Sequence, residues 1–502
     1  MKKSIIGLLA AIFTFGLVLN VNAEAITTDS SKKGTVDTNS ALVTNQAAIN
    51  ITNAPTADVL VAYKILDTFY NASTNVFTYE FTSDFKAFLA TTKDYKNLTV
   101  EQYYALTSGD TTSGSTRTQS TLDKLVSLYA AYVKTHSVTT SATLTYQAGE
   151  GATGAVVPAG AYLVIPKSTI NVYAVMVGNV IPTANGSEWV INDATIKAKI
   201  SSASVTKSIG SIGHVDGNYS VGEEFSYFLV GTVPQYPTNA TNKTYTITDT
   251  VGAGITLSGV SSIVIKDGNT TLTNSNGVFK NASGNTVATI TLSGQKITIV
   301  FDANYVQSTT VTVEYKAKLN NNATVGSAGN LNSATLTYSN DPYGTGTNTT
   351  SAVNASAFTY GIEVLIYADK DHNIVLSGVK FEIYSDAGLT NKIGEVITDS
   401  NGKALLPGVA EGTYYLKQVS TAPGYNLPRD AVQVKVKIEG SVEGTDEGYY
   451  IAEVSAFEAG TLPFTGSIGT ILYTMIGLVT VVSAILLFVL YNRKKEQEQE
   501  QA

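Results

Sequence analysis

The chain has 502 residues and a formal net charge of −8, with 42 Gly, 29 Tyr and no cysteine. That length exceeds what one hydrophobic core organises, so roughly two to four domains are expected. The missing cysteines exclude disulfide bracing, and no basic stripe supports a nucleic-acid partner.

Met1-Lys2-Lys3 is a charged start, Ile5 to Leu19 is apolar, and Val21-Asn22-Ala23 is a small-residue cleavage site. These features read as a secretory signal peptide over residues 1–23, with a mature chain starting near Glu24. Residues 24–200 read as a first domain of strands with a helical insertion. The strands are expected at Ala48 to Thr52, Val59 to Phe69, Thr143 to Tyr146, Ala161 to Ile165, Val172 to Val177 and Glu188 to Ile196. Within 83–135, Leu122, Leu125, Val126, Tyr129, Tyr132 and Val133 recur at helical spacing as a core face, with Ser120 or Thr121 as the cap.

Residues 201–350 read as almost purely β. Short alternating runs, such as Glu224 to Val230, Thr244 to Thr250, Val260 to Ile265, Val311 to Leu319 and Ala334 to Tyr338, are separated by turn signals at Asp267-Gly268-Asn269 and Ser275-Asn276-Gly277. This spacing suits an immunoglobulin-like sandwich. Asn340 to Ser356 reads as a soft linker. Residues 351–461 read as a third β-sandwich, with Asp399-Ser400-Asn401-Gly402 as a hairpin turn. The fold class expected is therefore all-β: tandem immunoglobulin-like sandwiches, the first with a helical insertion.

The chain closes with Leu462-Pro463-Phe464-Thr465-Gly466, an uncharged apolar run from Ile468 to Tyr491, and Arg493-Lys494-Lys495. The run exceeds the ~20 residues that span a bilayer as a helix. The basic cluster should stay cytoplasmic, which leaves the rest of the chain outside. Pentapeptide, span and basic tail over residues 462–502 resemble the LPxTG cell-wall sorting signal of Gram-positive surface proteins. That resemblance implies sortase cleavage between Thr465 and Gly466 and transfer of the Thr carbonyl to an amine.

Three further stretches extend the resemblance. Leu376-Ser377-Gly378-Val379-Lys380-Phe381-Glu382-Ile383-Tyr384 looks like the LxGAxFxLY strand of collagen-adhesin B-type domains. Thr398-Asp399-Ser400-Asn401-Gly402 matches their TDxxG turn. Gly412-Thr413-Tyr414-Tyr415-Leu416-Lys417-Gln418 through Ala422-Pro423-Gly424-Tyr425 matches their GxYxLxExxAPxGY segment, with Gln418 where that segment carries Glu. As a whole the chain resembles a sortase-assembled pilin of the backbone type. The partners implied are a sortase, identical subunits in a covalent polymer, minor pilins and peptidoglycan, and the location implied is the cell wall. A monomeric LPxTG-anchored adhesin is the alternative. In such pilins the Thr is joined to a Lys of the next subunit, in a YPKN-like motif at the end of the first domain. The corresponding stretch here is Ile196-Lys197-Ala198-Lys199-Ile200, which offers Lys199 first and Lys197 second.

The family also implies a spontaneous isopeptide bond between Lys and Asn, promoted by a buried acid. Strand alternation puts Lys207 on the face of Val205 and Ile209, Asp249 on that of Tyr245 and Ile247, and Asn332 on that of Ala334, Leu336 and Tyr338. Asn340 has the same parity as Asn332 and is the alternative partner. Buried charges are costly unless paired, and burial disfavours the charged forms. A neutral Lys207 amine could then attack the Asn332 amide with Asp249 as catalyst, and ammonia would leave. No such bond is expected in the third domain, where Ile366, Gln418 and Ala456 occupy the Lys, acid and Asn positions.

No enzyme is indicated. His136, His214 and His372 fall one to a unit, which gives no metal site, and Asp369, Asp371 and Asn373 read as a turn rather than a calcium loop. No nucleophile motif, phosphate loop or cofactor site is evident.

Overall fold

The computed structural model describes residues 26–27, 41–74, 76–108, 119–185, 188–237, 239–444, 448–459 and 468–500. The expected signal peptide over residues 1–23 and the pentapeptide Leu462 to Gly466 lie outside the described residues. By contacts the chain divides into two compact units. One comprises Met1–Gly217, Glu224–Lys318 and Leu331–Ser356; the other comprises Asn218–Glu223, Leu319–Asn330 and Ala357–Ala502.

The first part of the first unit is built on the long strand Val59–Asn71, which pairs with Gly160–Ser168, Val76–Phe81 and Ala142–Gln147. A parallel pairing of Ala194–Lys197 with Gln46–Thr52 closes the sheet edge. The helical insertion comprises Ser83–Thr91, Val100–Ser108 and Gln119–Thr135. The Thr82 hydroxyl caps the first helix by accepting from Phe85 N at 3.3 Å. Leu125, Val126, Tyr129 and Val133 of the third helix are buried against Phe85 and Phe88, as their spacing predicts. That helix begins at Gln119, so Ser120 and Thr121 lie inside it and neither is its cap. The expected strand Val172 to Val177 is split into Val172–Tyr173 and Met176–Val180. Ala152–Pro158 is a strand that the sequence reading missed: Gly154 and its two alanines give little β propensity, and pairing with Gln46–Thr52 supplies the order instead.

The second part is a two-sheet sandwich. One sheet runs Ser204–Ile209, Glu224–Thr232, Thr310–Leu319. In the other, Tyr245–Val251 lies between Asn330–Tyr338 and Lys296–Phe301. Strict alternation buries Val311, Val313, Tyr315, Ala317 and Leu319 on one side and Tyr245, Ile247, Asp249 and Val251 on the other. Val260 to Ile265 is not one strand: Val260–Ser262 is a 3-10 turn before the strand Val264–Asp267. Nor is Asn340 to Ser356 a soft linker. Tyr343 is buried in the core of the helical insertion, its hydroxyl is bonded to Ser127 Oγ at 3.2 Å, and Asp341 pairs with Lys134 at 3.1 Å.

In the second unit, two four-stranded sheets enclose a core that includes Ile362, Val364, Ile366, Phe381, Ile383 and Leu416. The last strand, Tyr449–Ala456, runs parallel to Tyr360–Ala368. Gly402 has φ +69° in the expected turn, a conformation glycine adopts without strain. That turn is not a hairpin, however. It joins Lys392–Ile397 to Lys403–Val409, which lie in different sheets. Helix Ile468–Glu500 follows, and its stretch Thr474–Lys494 is long and apolar enough to cross a membrane.

Candidate cross-linking site

Three of the four strands that build the site have one apolar face interrupted by one polar residue. Lys207 sits between Val205 and Ile209, Asp249 between Ile247 and Val251, and Tyr315 between Val313 and Ala317. On the fourth, Asn332 precedes Ala334 and is, like Asp249, wholly inaccessible. Lys207 and Tyr315 belong to one sheet and Asp249 and Asn332 to the other, so the four side chains meet in the middle of the sandwich. Register fixes the second pair: Asp249 faces Ala334 and Val251 faces Asn332 across adjacent antiparallel strands, which makes Asp249 and Asn332 diagonal neighbours.

Lys207 Nζ donates to Asp249 Oδ2 at 2.6 Å and to the Tyr315 hydroxyl at 3.0 Å. The Tyr315 hydroxyl donates to the same Asp249 Oδ2 at 2.6 Å and accepts from Asn332 Nδ2 at 2.6 Å. The ammonium also lies 4.9 Å from the Tyr227 ring centroid, a cation–π contact. Burial pulls the Lys207 amine below its ordinary value, and Asp249 opposes this only in part. Burial and the neighbouring Asp249 push the Tyr315 hydroxyl well above its ordinary value, so it remains a neutral phenol. Asp249 Oδ1 and Asn332 Oδ1 are buried without a hydrogen-bond partner among the described residues. Two acceptors lacking a donor in a dry core are a costly arrangement. A proton moved from Lys207 to Asp249 supplies the missing donor and leaves a neutral amine beside an amide.

The structure thus brings together Lys207, Asp249 and Asn332, each on the inward face that strand parity gave it. Asn340 is elsewhere. Its strand ends at Tyr338, parity is lost beyond it, and its side chain donates to Thr169 O at 2.6 Å. Tyr315 is the member that sequence reasoning missed. Its signal was present: a tyrosine on an inward face needs a partner for its hydroxyl.

Lys197 and Lys199 are both exposed, on either side of buried Ala198. The backbone between them is held: Ala198 N donates to Thr52 O, and Ala174 N to Lys199 O. Both lysines line a cleft of about 500 Å3 with Asp123 and Val126 of the third helix, Tyr236, Pro237 and Tyr343. In the third domain, Ile366, Gln418 and Ala456 are all buried. Gln418 Nε2 donates to Ser420 O at 3.2 Å.

Comparison with known proteins gives a consistent picture. Residues 364–448 match the SpaA family, a prealbumin-like fold domain, and residues 458–498 match the LPXTG cell wall anchor motif. The trypsin-resistant surface T6 protein of Streptococcus pyogenes serotype M6 is 27% identical over 265 residues, 48% of this chain and 47% of the relative. The chain therefore spans about half the length of the curated relative it matches. The solved structure of the T6 backbone pilin of serotype M6 Streptococcus pyogenes, described as a modular three-domain structure, is similar with a TM-score of 0.61 at 21% identity. The match covers 80% of this chain and 83% of that one. The chain is a surface protein with a cell wall anchor motif at residues 458–498 and a fold similar to that of a backbone pilin.

Proposed function

We propose that the protein is a structural subunit of a covalently polymerised surface pilus, joined by sortase transpeptidation and attached to the cell wall. The observation that carries this reading is the cell wall anchor motif directly behind a prealbumin-like domain. A sortase would cleave between Thr465 and Gly466 and pass the Thr465 carbonyl to a lysine amine of the next subunit. Lys199, with Lys197 second, is the acceptor. Support comes from the cleft that both line, which is large enough to receive an extended peptide end.

The second part of the reading is an autocatalytic Lys207–Asn332 amide promoted by Asp249. It would tie the first strand of the sandwich, Ser204–Ile209, to Asn330–Tyr338 in the facing sheet. The proximity of the three groups in a dry core supports it. Such a tie replaces the disulfide that a cysteine-free exported chain cannot form.

The deciding experiment is electrophoresis of surface extracts boiled in detergent. A covalent pilus gives a ladder of high-mass species that disappears when the sortase is deleted. A single band in the parent strain would instead identify a monomeric anchored adhesin.

A further inference from the structure

Among the described residues, Tyr315 is the one side chain whose reactive atom touches all three members of the proposed cross-link. Its hydroxyl is 3.0 Å from the attacking nitrogen, 2.6 Å from Asp249 Oδ2 and 2.6 Å from the nitrogen that must leave Asn332. We propose that Tyr315 is a catalytic residue of the bond-forming reaction, relaying a proton through its hydroxyl onto the departing Asn332 nitrogen. This rests on the Lys207–Asn332 cross-link proposed above.

The need for a relay follows from the leaving group. An amide nitrogen departs only after it gains a proton, and the site is closed to bulk solvent: the Lys207 and Asp249 side chains have no accessible surface, and Asn332 has none either. Asp249 already holds Lys207 and Tyr315 through a single oxygen, Oδ2. Hydrogen bonds link the three groups, with Asn332 Nδ2 donating to the Tyr315 hydroxyl and that hydroxyl to Asp249 Oδ2, and the relay runs this path in reverse once attack leaves a lone pair on Nδ2. The three protons of the Lys207 ammonium account for the whole reaction. One stays on the new amide nitrogen. One ends on Asp249, which becomes a neutral carboxyl and so leaves no unpaired buried charge once the lysine is consumed. The third reaches the leaving nitrogen through Tyr315, which gives up its own hydroxyl proton as it receives another. The Lys207 Nζ to Asn332 Cγ bond forms, the Cγ to Nδ2 bond breaks with its electron pair on nitrogen, and ammonia is released. Burial disfavours a phenolate here, which suits a group that passes a proton on without holding a charge.

The ring has a separate anchor. It lies 5.5 Å from Tyr227, centroid to centroid, and a phenylalanine keeps that contact. The test is therefore Tyr315→Phe in the full chain. Peptide mapping at timed intervals after synthesis would measure the cross-linked Lys207–Asn332 peptide pair, one ammonia lighter than its parts. The wild type should be fully linked. Tyr315→Phe should form the bond slower by a factor on the order of 100, the lower range for loss of a general acid. Linkage at the wild-type rate would overturn the role of Tyr315. An unlinked wild type would instead reject the cross-link itself, which is a different failure. A fluorinated tyrosine placed at 315 preserves hydroxyl and shape if Tyr315→Phe does not fold. The more acidic phenol should change the rate several-fold, and an unchanged rate would also overturn the relay.

Discussion

Lys207 Nζ and Asp249 Oδ2 lie 2.6 Å apart between the two sheets of the second sandwich, and neither side chain has any accessible surface. A buried ion pair of this kind returns little net stability, because desolvation offsets the attraction. Reaction with Asn332 removes both charges from the core. A loop of this length closed by a covalent tie is worth about 5 kcal/mol through the unfolded state, by analogy with disulfides. Asp249→Ala should keep the ammonia that the wild type loses. It should also lower the melting temperature by roughly 10–20 °C for a domain of this size. Intact mass and calorimetry check both, and a wild-type mass equal to its own calculated value, with no ammonia missing, would reject the bond.

The same pair fixes a pH dependence. Take Asp249→Ala, in which Lys207 is unreacted and loses its partner. Burial is the leading cause of the lowered Lys207 value and Asp249 the opposing one, so removing Asp249 lowers it further. The unfolded chain then binds the proton that the folded chain rejects. Stability should rise with pH up to the ordinary lysine value of 10.5, and be lost as pH falls from there toward the folded value. The slope is at most about 1.4 kcal/mol per pH unit. Denaturant melts of Asp249→Ala against Asp249→Ala with Lys207→Met read it directly. Equal slopes would show that Lys207 does not titrate.

Polymerisation gives a third prediction. Lys199→Ala should abolish the high-mass ladder, and Lys197→Ala should leave it nearly intact. Tandem mass spectrometry of the polymer should find Thr465 joined to Lys199. A ladder that survives Lys199→Ala and is lost with Lys197→Ala would move the acceptor two residues upstream, to the other lysine of the cleft.

A fourth prediction concerns the third domain, which should hold no cross-link. Ile366, Gln418 and Ala456 are buried and carry no charge, so the core is spared an unpaired ion. Peptide mapping should find no pair lighter by one ammonia within residues 357–459, and under force this domain should unfold before the second. Gln418→Glu alone should destabilise it by about 1–3 kcal/mol, because the new acid has no lysine beside it.

Much of this was legible in the sequence. The alternation in Tyr245 to Asp249 and Asn332 to Tyr338 put Asp249 and Asn332 inward before any coordinates, because a strand has a fixed period of two. The helical face of Leu125, Val126, Tyr129 and Val133 was equally plain. What failed were features that local pattern does not encode. Asn340 kept its parity on paper, but the strand had ended. The Asp399 to Gly402 turn looked like a hairpin and instead passes between sheets. The polar run after Asn340 looked loose and instead buries Tyr343 against a helix more than 200 positions earlier.

The sequence by itself determined which faces are buried, where the exported chain is anchored, and that a lysine, an acid and an amide would each be buried in one sandwich. Burial periodicity and covalent motifs are local, so a linear reading reaches them. Only the tertiary structure decided which inward groups meet. Strand order put Lys207 and Tyr315 in one sheet and Asp249 and Asn332 in the other, and register made the latter two diagonal neighbours. Pairing across sheets depends on long-range register, which no window of sequence specifies. That is why Tyr315, on an ordinary alternating strand, became visible as part of the site only when its hydroxyl was seen 2.6 Å from both Asp249 and Asn332.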